Sequence, residues 1–216
     1  MVKIIIVRHG ESFGNSLRIM AGHTDVELTD RGREQAKATA LALRGESIDA
    51  IYSSDLARAY HTALPHAAFC GLEVIRDEGL REIFLGDYEG MKIADVTEKI
   101  DPGFGCYWSD GFGTYAFPGG ETPVGAGERF YFTLEKIAKK NEGKTVLIAT
   151  HAAVIRAFWG KICGITAENL GREVPFPTNA SYSVVEYENG VFVPKIFSEN
   201  RHLEAIGFLD THNKGI

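Results

Sequence analysis

Two short apolar runs constrain this chain more than anything else in it: Val2 to Val7 (VKIIIV) and Thr145 to Thr150 (TVLIAT). A strand with one wet face alternates apolar and polar residues, whereas a nearly continuous β-branched run is expected of a strand buried on both faces. Other segments read as the elements that would cover such strands. Thr29 is placed to cap a helix over about 30–44, which Gly45 ends. Ile48 to Tyr52 predicts the next strand. Ser53, Ser54 and Asp55 are expected to cap a second helix running to about Cys70, which Pro65 should kink. Leu72 to Ile75 predicts a short strand, and residues 124–141 an amphipathic helix with Phe130, Leu134, Ile137 and Ala138 inward. A further helix should open at His151 and end near Gly164. Ser181 to Tyr187 and Val191 to Phe197 flank Glu188-Asn189-Gly190, where Asn-Gly signals a hairpin. Strands alternating with helices imply an α/β fold of three layers, αβα, with a mostly parallel central sheet. The hairpin would add an antiparallel edge. One domain over 1–216 accommodates all of this.

The segment of about 92–123 breaks the pattern. From 101 onward it is rich in Gly, carries Pro102, Pro118 and Pro123, and is dense in rings (Phe104, Tyr107, Trp108, Phe112, Tyr115, Phe117). With no helical or strand period, it reads as a lid or binding insertion.

Composition excludes several classes of function. The net charge is −6, with no Lys/Arg run, so a nucleic-acid partner is not expected. No stretch is long and apolar enough to span a bilayer, and the first residues lack the pattern of a signal peptide. Cys70, Cys106 and Cys163 show no CxxC pairing and read as reduced, mostly buried thiols of a cytoplasmic protein. The sequon Asn179-Ala180-Ser181 is then without consequence for glycosylation.

Chemistry-bearing residues gather where strands end: Arg8-His9 after the first, Arg58 shortly after the second, and His151 after TVLIAT. In open α/β sheets, ligands bind beyond the carboxyl ends of the strands. Two arginines and two histidines on one rim make an anion site, and guanidinium forks match phosphoryl oxygens.

The segment Val7 to Asn15, VRHGESFGN, resembles the RHG signature of the histidine phosphatase superfamily, which includes the cofactor-dependent phosphoglycerate mutases. The likeness continues in order through Gly22-His23-Thr24-Asp25, LTDRGREQA (Leu28–Ala36), SSDLARAYHTA (Ser53–Ala63), LREIFLGDYEG (Leu80–Gly90), PGGET (Pro118–Thr122) and THAAVIRA (Thr150–Ala157). The resemblance implies a phosphoglycerate mutase-like fold and a role for each matching residue. His9 is the nucleophile. Arg8 and Arg58 hold the phosphoryl oxygens, with His151 as a further donor. Asn15 contacts phosphate, and Glu82 is the proton donor. The backbone N–H of Ala152 also falls at the phosphate wall. There the family usually has Gly, and Ala152-Ala153 is a departure that requires a negative φ. Gly22, His23 and Thr24 fall near the site mouth, where His23 reads equally well as an exposed loop residue.

The residue types suit this chemistry on their own terms. Neutral imidazole is a competent nucleophile near its free pKa of ~6.5 and needs no separate base. Phosphoryl transfer has a loose transition state, so catalysis is alignment and charge stabilisation. The leaving oxygen needs a proton, which Glu82 must carry at that moment. Neither a metal nor a cofactor is called for. His61 and His66 lie five apart on one helix and do not share a face, and no HExxH pattern occurs. His202 and His212 read as tail residues. Cys70 and Arg76 match the C-x5-R spacing of cysteine phosphatases only by coincidence, because the intervening residues lead into a strand.

The expected activity is metal-independent hydrolysis of a small phosphomonoester through a phosphohistidine, in a chain that could pair as a homodimer. A phosphoglycerate mutase is the runner-up. Mutases of this family usually place extra arginines in their insertion, but no Lys or Arg stands between Lys99 and Arg129. The aromatic lid then favours a substrate with an apolar, ring or sugar body over a small dianion. A binding module with a silent site is the third reading, weakened because every expected chemical group is present.

Overall fold

The computed structural model describes residues 1–207. In chain order it contains β1 (Val2–Arg8), a single-turn α1 (Phe13–Ser16), α2 (Asp30–Ala42), β2 (Ala50–Ser53), α3 (Ala57–Cys70) and β3 (Val74–Arg76). There follow a short α4 (Ile93–Asp95), α5 (Pro123–Lys140), β4 (Thr145–Thr150), α6 (Ala152–Ile162), α7 (Ala167–Glu173), β5 (Tyr182–Glu188) and β6 (Val191–Glu199). The six strands form one sheet in the order β3-β2-β4-β1-β5-β6. β3, β2, β4 and β1 run parallel, and β5 and β6 close one side antiparallel. β1 and β4, the two apolar runs, are thus neighbours at the centre, with Ile5 opposite Leu147 and Arg8 opposite Thr150.

The pleat of β1 sorts its side chains between two cores. Ile4 and Ile6 point into the larger one, with Phe130 and Leu134 of α5 and Val154 and Phe158 of α6. Ile5 and Val7 point the other way, against Ala63 and Ala67 of α3. This is why no polar residue interrupts the run beyond Lys3, whose ammonium pairs with Glu46 at the strand start. The hairpin turn falls as expected: Asn189 and Gly190 both take positive φ (52° and 85°), the requirement of a two-residue turn between twisted strands.

Several expectations need correction. α3 starts at Ala57, not at the Ser53–Asp55 cluster. Ser53 belongs to β2, and the Asp55 carboxylate is taken by Arg81, with Nε to Oδ1 at 2.8 Å. The cap comes instead from a distant carboxylate, Asp25, which accepts the Ala57 N–H at 2.8 Å. The end of α3 at Cys70 and the place of Pro65 inside it are as expected. The cysteines are not mostly buried, since Cys70 is partly exposed and Cys106 and Cys163 are exposed. The 101–123 segment contains a 3-10 stretch over Pro102–Trp108, and its rings pack mainly on one another: Phe104 stacks on Tyr107 at 5.5 Å, and Phe104, Phe112 and Phe117 are buried. These rings extend the larger core, the one that also holds Phe130 and Phe158, which the absence of periodicity concealed. His202 is no loose tail residue, because its Nε2 reaches Thr39 Oγ1 and the Ala180 carbonyl. His212 lies outside the described residues. Among those described, no helix is long and apolar enough to cross a membrane.

Candidate active site

Beyond the carboxyl ends of β1, β2 and β4 opens a cavity of about 420 Å³. Arg8, His9, Asn15, Gly22, Arg58, Glu82 and Ala152 all line it, so folding gathers residues up to 144 positions apart in sequence around one space. His9 sits one residue past β1, its backbone N–H bound to the Thr150 carbonyl at 2.9 Å. Its Nδ1 lies 2.7 Å from the Gly10 carbonyl. A carbonyl can only accept, so Nδ1 carries the proton and Nε2 keeps the lone pair. The ring is 4% exposed. Arg8 is buried beside it, Nη1 donating to the Pro177 carbonyl at 2.5 Å.

Arg58, near the start of α3, is 2% exposed. Its Nη2 donates to the Ala21 and Gly22 carbonyls, each at 2.7 Å, and Nη1 to the Thr24 carbonyl at 3.0 Å. Burial pulls its pKa down to about 10, which leaves it charged at neutral pH. The 21–24 loop therefore serves chiefly to orient Arg58. His23 and Thr24 do not line the cavity: His23 Nε2 bonds the Glu82 carbonyl at 2.9 Å, and Thr24 Oγ1 donates to Glu89 at 2.6 Å.

His151 also stands back from the cavity lining. It is fully buried, its ring edge-on to His9 with centroids 5.2 Å apart. Burial, reinforced by the charge of Arg58, pushes its pKa well below the usual histidine range, so the ring is neutral. Neither ring nitrogen meets a hydrogen-bond partner among the described residues. An orphaned buried N–H is costly, and a phosphoryl oxygen at the His9 face would satisfy it. Ala152 opens α6 with ordinary negative φ, the condition its methyl group required.

Glu82 lies against the same helix start. Its Oε2 accepts from the Ala153 N–H at 3.1 Å, and Oε1 from those of Val154 and Ile83 at 3.2 and 2.9 Å. Arg129 holds the segment from behind through the carbonyls of Gly79, Arg81 and Glu82, each at 3.0 Å. Asn15 turns its Oδ1 toward Ser12 N, Ser12 Oγ and Asn179 Nδ2, all at 3.1 Å. That orientation presents its amide N–H groups, the donor end, to the cavity.

Five contributors escaped the sequence reading. Asn179 is buried and donates to the His9 carbonyl at 3.2 Å, so the sequon asparagine is a structural strut. Glu89 gathers His23 N, Thr24 N, Thr24 Oγ1 and Leu85 N on one carboxylate. Arg18, Arg156 and Arg172 add three guanidinium groups to the cavity wall. They come from the loop after α1, from α6 and from α7, not from the insertion, where arginines were sought and found lacking. Within 101–123 only Tyr107 and Trp108 reach the cavity. No cluster of His, Cys, Asp or Glu among the described residues could hold a metal ion.

The model of the histidine phosphatase superfamily (branch 1) matches residues 4–200. Phosphoserine phosphatase 1 of Hydrogenobacter thermophilus is 37% identical over 87% of this chain and 88% of its own. Phosphoglycerate mutase-like protein 4 of Arabidopsis thaliana is 34% identical over 97% and 90%. Among solved structures, Bacillus stearothermophilus YhfR superposes with a TM-score of 0.87 at 28% identity, over 94% of this chain and 100% of that one.

Proposed function

The chain belongs to the histidine phosphatase superfamily and is an enzyme of the phosphatase kind; from that premise we propose that it hydrolyses a small phosphomonoester through a phosphohistidine on His9, without a metal ion. The observation that supports this reading best is the His9 ring itself, oriented by the contact of Nδ1 with the Gly10 carbonyl, in a cavity walled by Arg8, Arg58, Asn15 and Glu82.

Nε2 attacks phosphorus in line with the leaving oxygen. As the P–N bond forms and the P–O bond breaks, charge on the equatorial oxygens is met by Arg8, Arg58, the Asn15 amide and a ring N–H of His151. Glu82 gives its proton to the departing alkoxide. Water then attacks the phosphorus of phospho-His9 and returns a proton to Glu82, and the P–N bond breaks to release inorganic phosphate and the neutral ring. Arg58 and His151 are already fixed and desolvated, so little reorganisation is needed when phosphate arrives.

The runner-up is transfer to a second substrate oxygen, as in a phosphoglycerate mutase. Arg18, Arg156 and Arg172 favour it to the extent that they could hold a second anionic group. The deciding experiment measures phosphate release from p-nitrophenyl phosphate and from a panel of phosphorylated metabolites in EDTA, beside mutase turnover of 3-phosphoglycerate. Phosphate release undiminished by EDTA is expected. Fast mutase turnover with negligible phosphate release would reverse the ranking.

A further inference from the structure

We propose that Arg156 reads a carboxylate on the substrate, so that the phosphomonoester this chain prefers carries a carboxyl group beside its phosphate. The inference rests on the phosphatase reading and names the substrate class of that same cavity.

Arg156 lies in the second turn of α6, five residues beyond His151, and is 2% exposed. Two of its nitrogens are engaged: Nε donates to the Val174 carbonyl at 2.5 Å and Nη2 to the Gly171 carbonyl at 2.6 Å. Two aromatic rings pack on the guanidinium, Phe112 with its centroid 4.3 Å away and Phe176 at 4.2 Å, and the two rings meet each other edge to face at 5.2 Å. One edge remains. Nη1 is buried and meets no acceptor among the described residues, yet the side chain lines the cavity that holds His9.

This is an unusual way to keep a full charge. Burial pulls its pKa down to about 10, so the group stays ionised at neutral pH. No carboxylate pairs with it among the described residues, unlike Arg81 with Asp55 or Arg129 with Glu121. A buried cation without an anion is costly. A strut that only joined α6 to α7 would need the two carbonyl contacts and no charge at the cavity wall. A substrate anion supplies the missing partner where the desolvation cost is already met, and a charge-assisted hydrogen bond there is stronger than one in water. A single free N–H edge beside two aromatic rings suits a small planar carboxylate better than a second tetrahedral phosphate, which would call for several donors. Arg18 and Arg172, exposed at the rim, add a positive field along the approach.

The test uses a matched pair, 3-phosphoglycerate and glycerol 3-phosphate, which differ by a carboxylate against a hydroxymethyl group. Phosphate release is measured for both, with p-nitrophenyl phosphate as a substrate that carries no second anion. The wild-type chain is expected to favour 3-phosphoglycerate at least tenfold in kcat/KM, mainly through KM. In Arg156→Gln that ratio should fall toward unity, and in Arg156→Lys it should fall at least threefold. Equal kcat/KM for the pair in the wild type overturns the inference, as does an unchanged ratio in a folded Arg156→Gln. Should Arg156→Gln not fold, an unchanged ratio in Arg156→Lys does the same. If the preference is missing while p-nitrophenyl phosphate is still hydrolysed, the fault lies with this inference and not with the phosphatase reading.

Discussion

The rings of His9 and His151 meet edge to face with centroids 5.2 Å apart and planes 61° apart, and the two are prepared differently. His9 has one nitrogen committed to the Gly10 carbonyl, whereas His151 has both uncommitted among the described residues. In the proposed mechanism this asymmetry suits His9 to attack and His151 to donate.

Replacing the attacking ring should be far more damaging than replacing any single donor. His9→Ala is expected to lower kcat for p-nitrophenyl phosphate by roughly a thousandfold or more. Acid-labile, base-stable phosphate incorporated by the wild-type protein should vanish with it. Retention of full hydrolysis by His9→Ala would remove the mechanism outright.

Acid stability should depend on a histidine remote from the cavity. His66 is 2% exposed, and burial pulls its pKa from 6.5 to about 4, with nearby His202 adding a smaller push in the same direction. A histidine with a depressed folded pKa takes up its proton first in the unfolded chain, so stability declines as pH drops from 6.5 toward 4. The linked loss is about 3 kcal/mol. His151 adds to it in the same direction, its pKa also being pushed down by burial. Chemical denaturation of wild type and His66→Leu at pH 7 and pH 4.5 should show a shallower acid decline in the variant.

Glu89 never touches the cavity, yet four donors converge on its carboxylate, three of them from the 23–24 stretch. That stretch belongs to the loop on which Arg58 is oriented. Glu89→Ala should lower kcat/KM by about ten- to a hundredfold through a misplaced guanidinium, with secondary structure intact by circular dichroism. Wild-type kinetics in this variant would show that Arg58 is held without the loop.

Asn179→Ala removes the donor shared by the His9 carbonyl and Asn15 Oδ1. The expected cost is about 1–3 kcal/mol of stability, because two buried acceptors lose a partner. KM for phosphomonoesters should rise as Asn15 loses its fixed orientation. Urea unfolding and steady-state kinetics on one preparation would separate the two effects.

The parts legible in advance were those written in short stretches. VKIIIV and TVLIAT announced central strands because burial on both faces leaves a local signature, and Asn189-Gly190 announced its turn for a similar reason. Arg8, His9, Arg58 and Glu82 were legible through the blocks that contain them, and the fold does bring them to one cavity. What stayed hidden depends on distant partners. Nothing near Ala57 reveals that Asp25 caps its helix, and nothing near Arg156 reveals that Phe112 and Phe176 enclose it. Nothing local marks Arg18 and Arg172 as cavity residues, because the cavity draws its walls from segments far apart in the chain. His202 looked like tail because its contacts, Thr39 and Ala180, lie 163 and 22 residues away.

The place of β1 in the sheet has a consequence for biosynthesis. Of the six strands, the one that delivers Arg8 and His9 is translated before the others, but its neighbours are β4 and β5, which end at Thr150 and Glu188. β1 must therefore wait, unpaired and greasy, until most of the segment up to β5 has been translated. A nascent chain stalled before Tyr182 would carry Arg8, His9, Arg58, Glu82 and His151 with β1 still lacking one of its two neighbours, a sticky client for chaperones until the closing hairpin arrives.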